Sequence, residues 1–256
     1  LHAYADTENE RKVAAEFARL APEISVVASH QITREWREYE RTSTTVLSAY
    51  VHPVVNAYLD SLEFKLKEQG FTGNGFVMQS NGGIASLGSA RSNPIAMVES
   101  GPASGVIAAA ALGELIDEPN IIALDIGGTT AKCSLVENAR LRLTTDYRIE
   151  WSKTKAGYPI KTPVVDIVEI GNGGGSIAWI DGGGKLHVGP ESAGALPGPA
   201  AYGKGGTEPT TTDAHLVTGR IDPDYFLGGE IVPDMNKVRD AFGPLAERLG
   251  VGIEEA

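Results

Sequence analysis

Glycine is the residue that most limits what this chain can fold into, and it is spread unevenly. Of 31 glycines in 256 residues, one (Gly70) falls in residues 1–70, whereas thirteen fall in residues 171–206. A residue without a Cβ weakens regular helix and permits tight turns and close backbone approaches. The pattern predicts a helix-rich first part joined to a part built on turns. No strict Gly-x-y repeat is present, which excludes collagen. Apolar residues make up 42% of the chain, enough for a core, so wholesale disorder is excluded as well.

The formal charge is −11, with a sequence pI near 4.9. That argues against a nucleic-acid surface, because phosphodiester binding needs clustered Lys and Arg. It leaves nucleotides open, since small phosphates are held by backbone N–H groups and a metal ion. The single cysteine, Cys133, has no internal disulfide partner, so a reducing, cytoplasmic setting is expected. No run approaches the ~20 apolar residues of a membrane helix. The chain opens at Leu1 rather than Met, and its first residues already read as the start of a polar-capped helix. This suggests a piece of a longer protein.

Helical spacing of Val13, Phe17 and Leu20 predicts a helix over 7–20, with Asp6 or Thr7 as N-cap and Pro22 ending it. The β-branched run in 23–29 predicts a short strand. Residues 33–69 read as helix, with a break expected at Pro53 and one apolar stripe of Leu47, Val51, Val54, Tyr58, Leu62 and Leu66. Strand is expected at 75–80, helix at 99–116, strand–turn–strand at 120–138 and a further alternating strand at 140–150. Short strands between glycine turns follow over 160–190, then two helices near 213–219 and 236–249. This mixture indicates an α/β fold. The composition change, with no linker to mark it, places an expected division near residue 70, between a helix-rich segment (1–70) that belongs to a preceding lobe and a glycine-rich α/β lobe (71–256), the two packed together.

The sharpest local signal is "LDIGGTT" at 124–130. An apolar strand delivers Asp125 at its end. Gly127 and Gly128 let backbone N–H groups face an anion, and Thr129 and Thr130 add hydroxyls. A phosphate with Mg²⁺ would use all three kinds of group. The segment is neither a Walker A loop nor a dinucleotide fingerprint, because the spacing differs and a strand follows instead of a helix. The same residues also suit an ordinary hairpin turn. A second cluster, "IGNGGGSIAWI" at 170–180, places Gly173, Gly174, Gly175 and Ser176 where a ring or phosphate could lie against the main chain, or where strands simply bend.

Taken in order, several segments resemble the hydantoinase A/5-oxoprolinase family, which includes an acetone carboxylase subunit. They are "REWREYERTSTTVLSAYVHPVV" (34–55), "VMQSNGG" (77–83), "ESGPASGV" (99–106), "LDIGGTTAKCSLV" (124–136), "VEIGNGGGSIAWID" (168–181), "VGPESAGALPGPAAYGKGGTEPTTTDAHLVTGRIDP" (188–223) and "YFLGG" (225–229). The resemblance implies a lobe of an actin-like ATPase fold, sugar-kinase-like and ribonuclease H-like. It also implies ATP and Mg²⁺ as cofactors, and a reaction that opens a cyclic amide such as hydantoin or 5-oxoproline through a phosphorylated substrate. The family's usual earlier Asp-x-Gly-Gly-Thr loop has no counterpart here, so a central fragment, incomplete at both ends, is expected. By the same resemblance Asp125 holds Mg²⁺, and Gly127, Gly128, Thr129 and Thr130 contact phosphates. Gly173, Gly174, Gly175 and Ser176 form the nucleotide-side glycine motif. Asp213, in "TTTDAHL", is a catalytic candidate through metal or substrate. A second enzyme subunit is a further implied partner, whereas nucleic acid and membrane are not. The departures are Lys132, Ala201 and His215, where relatives commonly carry an acidic residue, Cys and Asn. These leave open a ketone carboxylase subunit or a non-catalytic ATP-binding scaffold. The five histidines show no close metal-ligand spacing; His187 and His215 lie in the family-like stretch.

Overall fold

The computed structural model describes residues 2–151 and 154–256. The chain forms two compact units. The first contains residues up to Ala123 together with Ser134–Ile167; the second contains Leu124–Cys133 and Val168–Ala256. The boundaries of these units fall within β-strand segments near residues 123–134 and at residue 167. Residues 1–70 belong to the first unit with the segments that follow them.

In chain order the first unit begins with α1 (Glu8–Leu20), α2 (Ser29–Ile32) and α3 (Glu38–Glu68). Next come β1 (Phe76–Met78), β2 (Ile84–Ser86), α4 (Leu87–Ser92) and α5 (Ser100–Leu115). The strands β3 (Ile121–Ile126) and β4 (Ala131–Glu137) each run from one unit into the other. After them come β5 (Arg140–Leu141), β6 (Leu143–Thr144), β7 (Tyr147–Ile149), β8 (Tyr158–Ile160) and β9 (Val164–Val165). The second unit adds β10 (Val168–Ile170), β11 (Ser176–Ile180), β12 (Leu186–Ser192), α6 (Thr211–Val217) and α7 (Met235–Leu249). Helix and sheet are thus mixed, as expected.

In the first unit α3 is the organising element. Leu59 of α3 packs with Leu87 and Ala90 of α4. Leu47 borders a cluster of Ile32, Ile95 and Ile160. Buried Thr44 accepts the Lys161 N–H at 2.9 Å, which ties α3 to the chain just past β8. Glu10 of α1 accepts from the Ser29 hydroxyl and from the backbone and ring nitrogens of His30, which fixes α1 to α2. Burial works to raise the Glu10 pKa, but these hydrogen bonds outweigh it and hold the carboxyl below its ordinary value.

Several local expectations are corrected. Residues 23–28 form no strand. The break at Pro53 does not occur, and α3 is one helix of 31 residues with Pro53 inside it. Residues on both sides of Pro53 are anchored, Thr44 and Ser48 before it and Leu59 after it, which holds the two halves in line despite the lost N–H. The expected stripe is buried only in part, with Leu47, Val51, Leu62 and Leu66 half-buried. Val54 and Tyr58 are 73% and 63% exposed, and the face that packs includes Arg41, Thr44 and Ser48. Val13, Phe17 and Leu20 of α1 are also exposed. The strand expected over 140–150 is divided into β5, β6 and β7.

In the second unit β10 pairs antiparallel with the start of β4, with Val168 opposite Cys133 and Ile170 opposite Ala131. β11 and β12 form an antiparallel hairpin. Ile180, Ala201, Leu216, Val238, Phe242 and Leu245 make the core that joins this hairpin to α6 and α7. Among the described residues, no helix is long and apolar enough to cross a membrane.

Candidate functional site

The turn between β3 and β4 is closed by its own backbone. The Gly127 N–H donates to the Thr130 carbonyl at 2.9 Å. Asp125, Gly127, Gly128 and Thr129 are exposed, and Thr130 is half-buried. The turn therefore presents a carboxylate, main-chain groups and two hydroxyls on one short segment, at the end of a strand that holds it in place.

The second glycine cluster lies directly on this turn. The Gly174 N–H donates to the Gly127 carbonyl at 2.9 Å, and the Gly175 N–H donates to the Gly128 carbonyl at 2.6 Å. A Cβ at Gly173 would stand 2.6 Å from the Gly127 carbonyl oxygen and the Thr130 nitrogen, and 2.7 Å from the Thr129 nitrogen. Only glycine allows this approach. The structure thus brings Gly127, Gly128, Thr129 and Thr130 together with Gly173, Gly174 and Gly175, two clusters more than forty residues apart in the chain. Ser176 belongs to the support beneath them. It is fully buried, and its hydroxyl accepts the Gly173 N–H at 2.8 Å.

Thr212 clamps the glycine segment from α6. Its N–H and its hydroxyl both donate to the Gly174 carbonyl, each at 2.8 Å. Asp213 lies one residue further on and is 0% exposed. Its Oδ1 accepts the Ala201 N–H at 2.8 Å. Its Oδ2 accepts the Ala200 N–H at 3.1 Å, the Thr210 N–H at 3.1 Å and the Thr210 hydroxyl at 2.7 Å. Thr210 in turn accepts the Asp213 N–H, completing a capping box at the start of α6. The carboxylate expected to meet metal or substrate is turned onto its own chain.

Thr210 and Thr212 were not singled out from sequence. The Thr-x-x-Asp spacing of "TTTD" is a readable capping-box signal for Thr210. Nothing local points to Thr212, whose partner lies 38 residues away. Lys132 faces Glu169 across the β4–β10 ladder, with the charged groups 3.9 Å apart. His187 is hydrogen-bonded to Asp181 at 2.7 Å and stacked on Trp179 with ring centroids 4.7 Å apart, so it pins the β11–β12 hairpin. His215 lies on α6 with its Nδ1 buried and without a hydrogen-bond partner.

The residues present fit a phosphate group. The turn leaves the main chain of Gly127, Gly128 and Thr129 exposed, and exposed main-chain groups of a glycine-rich turn are the kind that receive anions. Asp125 and the two threonine hydroxyls supply oxygen donors of the kind Mg²⁺ takes. Among the described residues no three His, Cys, Asp or Glu side chains converge. Mg²⁺ needs no such cluster when phosphates and waters complete its shell.

Comparison with known proteins adds context to this geometry. The family model described as Hydantoinase/oxoprolinase matches residues 41–256. An uncharacterized protein of Methanocaldococcus jannaschii is 41% identical over 100% of this chain and 38% of its own length. The caprolactamase subunit alpha of Pseudomonas jessenii is 36% identical over 97% of this chain and 35% of its own. Among solved structures, nucleotide-free acetone carboxylase matches with a TM-score of 0.81 and 31% identity, over 100% of this chain and 36% of that one. The chain thus spans little more than a third of the relatives it matches.

Proposed function

Because the chain belongs to the hydantoinase/oxoprolinase family, we propose that it forms part of an ATP-dependent hydrolase that opens a cyclic amide of the hydantoin or 5-oxoproline type by phosphoryl transfer. The observation that carries this reading is the docking of Gly173–Gly175 on the Gly127–Thr130 turn, which leaves Asp125, Gly128 and Thr129 exposed. In this reading the turn holds the ATP phosphates, and Asp125 holds Mg²⁺ or its water. Mg²⁺ supplies neutralisation of phosphate charge. The work of the chain is positioning and electrostatic stabilisation. Gly173, Gly174 and Gly175 back the turn on its nucleotide side, with Ser176 fixing their path. The second unit is read as a lobe of an actin-like ATPase fold, in a cytoplasmic protein that works with a second subunit.

One observation favours a second reading. The acetone carboxylase structure matches all of this chain with 36% of its own length, which supports a role as a subunit of an ATP-dependent ketone carboxylase. Both readings use the same turn. The test is ATP hydrolysis by the full-length protein with hydantoin, with 5-oxoproline, and with acetone plus bicarbonate. Stimulation by a cyclic amide supports the first reading and stimulation by ketone plus bicarbonate the second. In the same assay Asp125→Ala is expected to lower turnover about 100-fold, the scale for losing one electrostatic group at a transferring centre. Undiminished hydrolysis by that variant would overturn both.

A further inference from the structure

We propose that Asp213 is a positioning residue for the phosphate turn, acting through Thr212 and Gly174 without touching nucleotide or metal. The proposal rests on reading the Gly127–Thr130 turn as the phosphate site. Asp213 is fully buried, and both carboxylate oxygens are engaged by donors of its own chain. A buried carboxylate is costly unless hydrogen-bonded, and here four donors satisfy it. Those donors come from two places, the 199–201 turn and the N-cap of α6. The carboxylate therefore fixes where the first turn of α6 begins.

Thr212 sits in that first turn. Its two donors converge on the Gly174 carbonyl, and the Gly174 N–H passes the constraint to the Gly127 carbonyl. The Gly175 N–H makes a parallel link to Gly128. Apart from the Asp213 carboxylate, the links are backbone groups and threonine side chains, one of them the short β-branched side chain of Thr212. Such links have little freedom to absorb a displacement. Gly174 leaves no slack either, since a Cβ there would stand 2.9 Å from the Thr212 hydroxyl. A shift of the α6 cap is thereby transmitted to the amides and carbonyls of the turn. Catalytic and binding groups lose effectiveness when displaced by about 1 Å.

The test uses the full-length protein, with KM and Kd for Mg-ATP measured well below the melting temperature. Asp213→Asn puts an NH₂ group against N–H donors. It is expected to lower Tm and to raise KM and Kd for Mg-ATP about tenfold, the scale of one lost charge-assisted hydrogen bond. Thr212→Val keeps the side-chain shape and all four bonds to Asp213 but removes the hydroxyl link to Gly174. It is expected to weaken Mg-ATP binding in the same direction with a smaller change in Tm, and Thr212→Ser is expected to restore affinity. Because the two residues act in series, the double variant is expected to bind no more weakly than the weaker single variant.

Wild-type Mg-ATP affinity in folded Thr212→Val and Asp213→Asn would overturn the proposal and leave Asp213 as a cap only. A collapse of kcat in Asp213→Asn with unchanged KM and an altered Mg²⁺ requirement would overturn it in favour of direct contact. If Asp213→Asn does not fold, the Thr212 pair decides alone. Failure of the underlying reading is separate: Mg-ATP affinity and turnover would then be unaffected by Asp125→Ala.

Discussion

A methyl group at position 173 would stand within 2.7 Å of three main-chain atoms of the Gly127–Thr130 turn, whereas one at position 128 would meet nothing within 4 Å. The two glycines look alike in sequence and differ in what constrains them. Gly173→Ala is expected to destabilise the protein by about 1–3 kcal/mol, the range for overpacking. Gly128→Ala is expected to stay within about 0.5 kcal/mol of wild type. Thermal unfolding of both variants checks this, and equal losses would contradict it. Asp125 was legible as a candidate because it ends an apolar strand before two glycines. Asp213 was legible as a notable residue, but its surroundings were not. Its donors at Ala200 and Ala201 come from a turn whose position depends on how "PGPAAYG" folds back on α6.

At the scale of elements, the helices expected at 7–20, 99–116 and 236–249 are α1, α5 and α7, but apolar spacing did not identify the face of α3 that packs. Leu59 is the fully buried apolar side chain of α3 and was not in the expected stripe. Leu59→Ala is expected to cost about 2–5 kcal/mol, whereas Tyr58→Ala, at an exposed position, is expected to cost under about 0.5 kcal/mol. Denaturant titration of the two variants separates these outcomes. The β11–β12 hairpin has a pH signature. The Asp181 carboxyl is held below its ordinary value, first by the hydrogen bond to His187 and then by the Lys185 and Gly183 N–H groups. A depressed carboxylate contributes stability above its unfolded pKa and loses it as pH falls through the folded one. Glu10 follows the same sign. Asp181→Asn is therefore expected to lower stability near neutral pH and to flatten its decline in acid, as read by Tm against pH. An unchanged acid slope would count against this role.

For the whole molecule, the two units divide the chain within β3 and β4 and at residue 167. The 1–70 segment contains few glycines because it forms helices, yet α3 contacts strands and helices far along the chain. Composition records secondary structure and carries no information about such partners. With relatives roughly three times as long, ATP turnover is proposed to belong to the longer protein. Residues 1–256 alone are expected to show no turnover with Mg-ATP and hydantoin, while the full-length protein does. A parallel assay of the two checks this, and turnover by the shorter piece would contradict it.

The sequence by itself determined the mixture of helix and strand and the two glycine clusters, because these follow from local residue type and spacing, and its ordered motifs carried the resemblance to the family. Only the tertiary structure decided that the clusters lie on each other, that Thr212 joins them to α6, and that the Asp213 carboxylate is turned onto its own chain. The reason is physical. A glycine, a threonine or an aspartate carries the same local preference wherever it occurs. What it does here depends on main-chain atoms that folding brings to within 3 Å from tens of residues away.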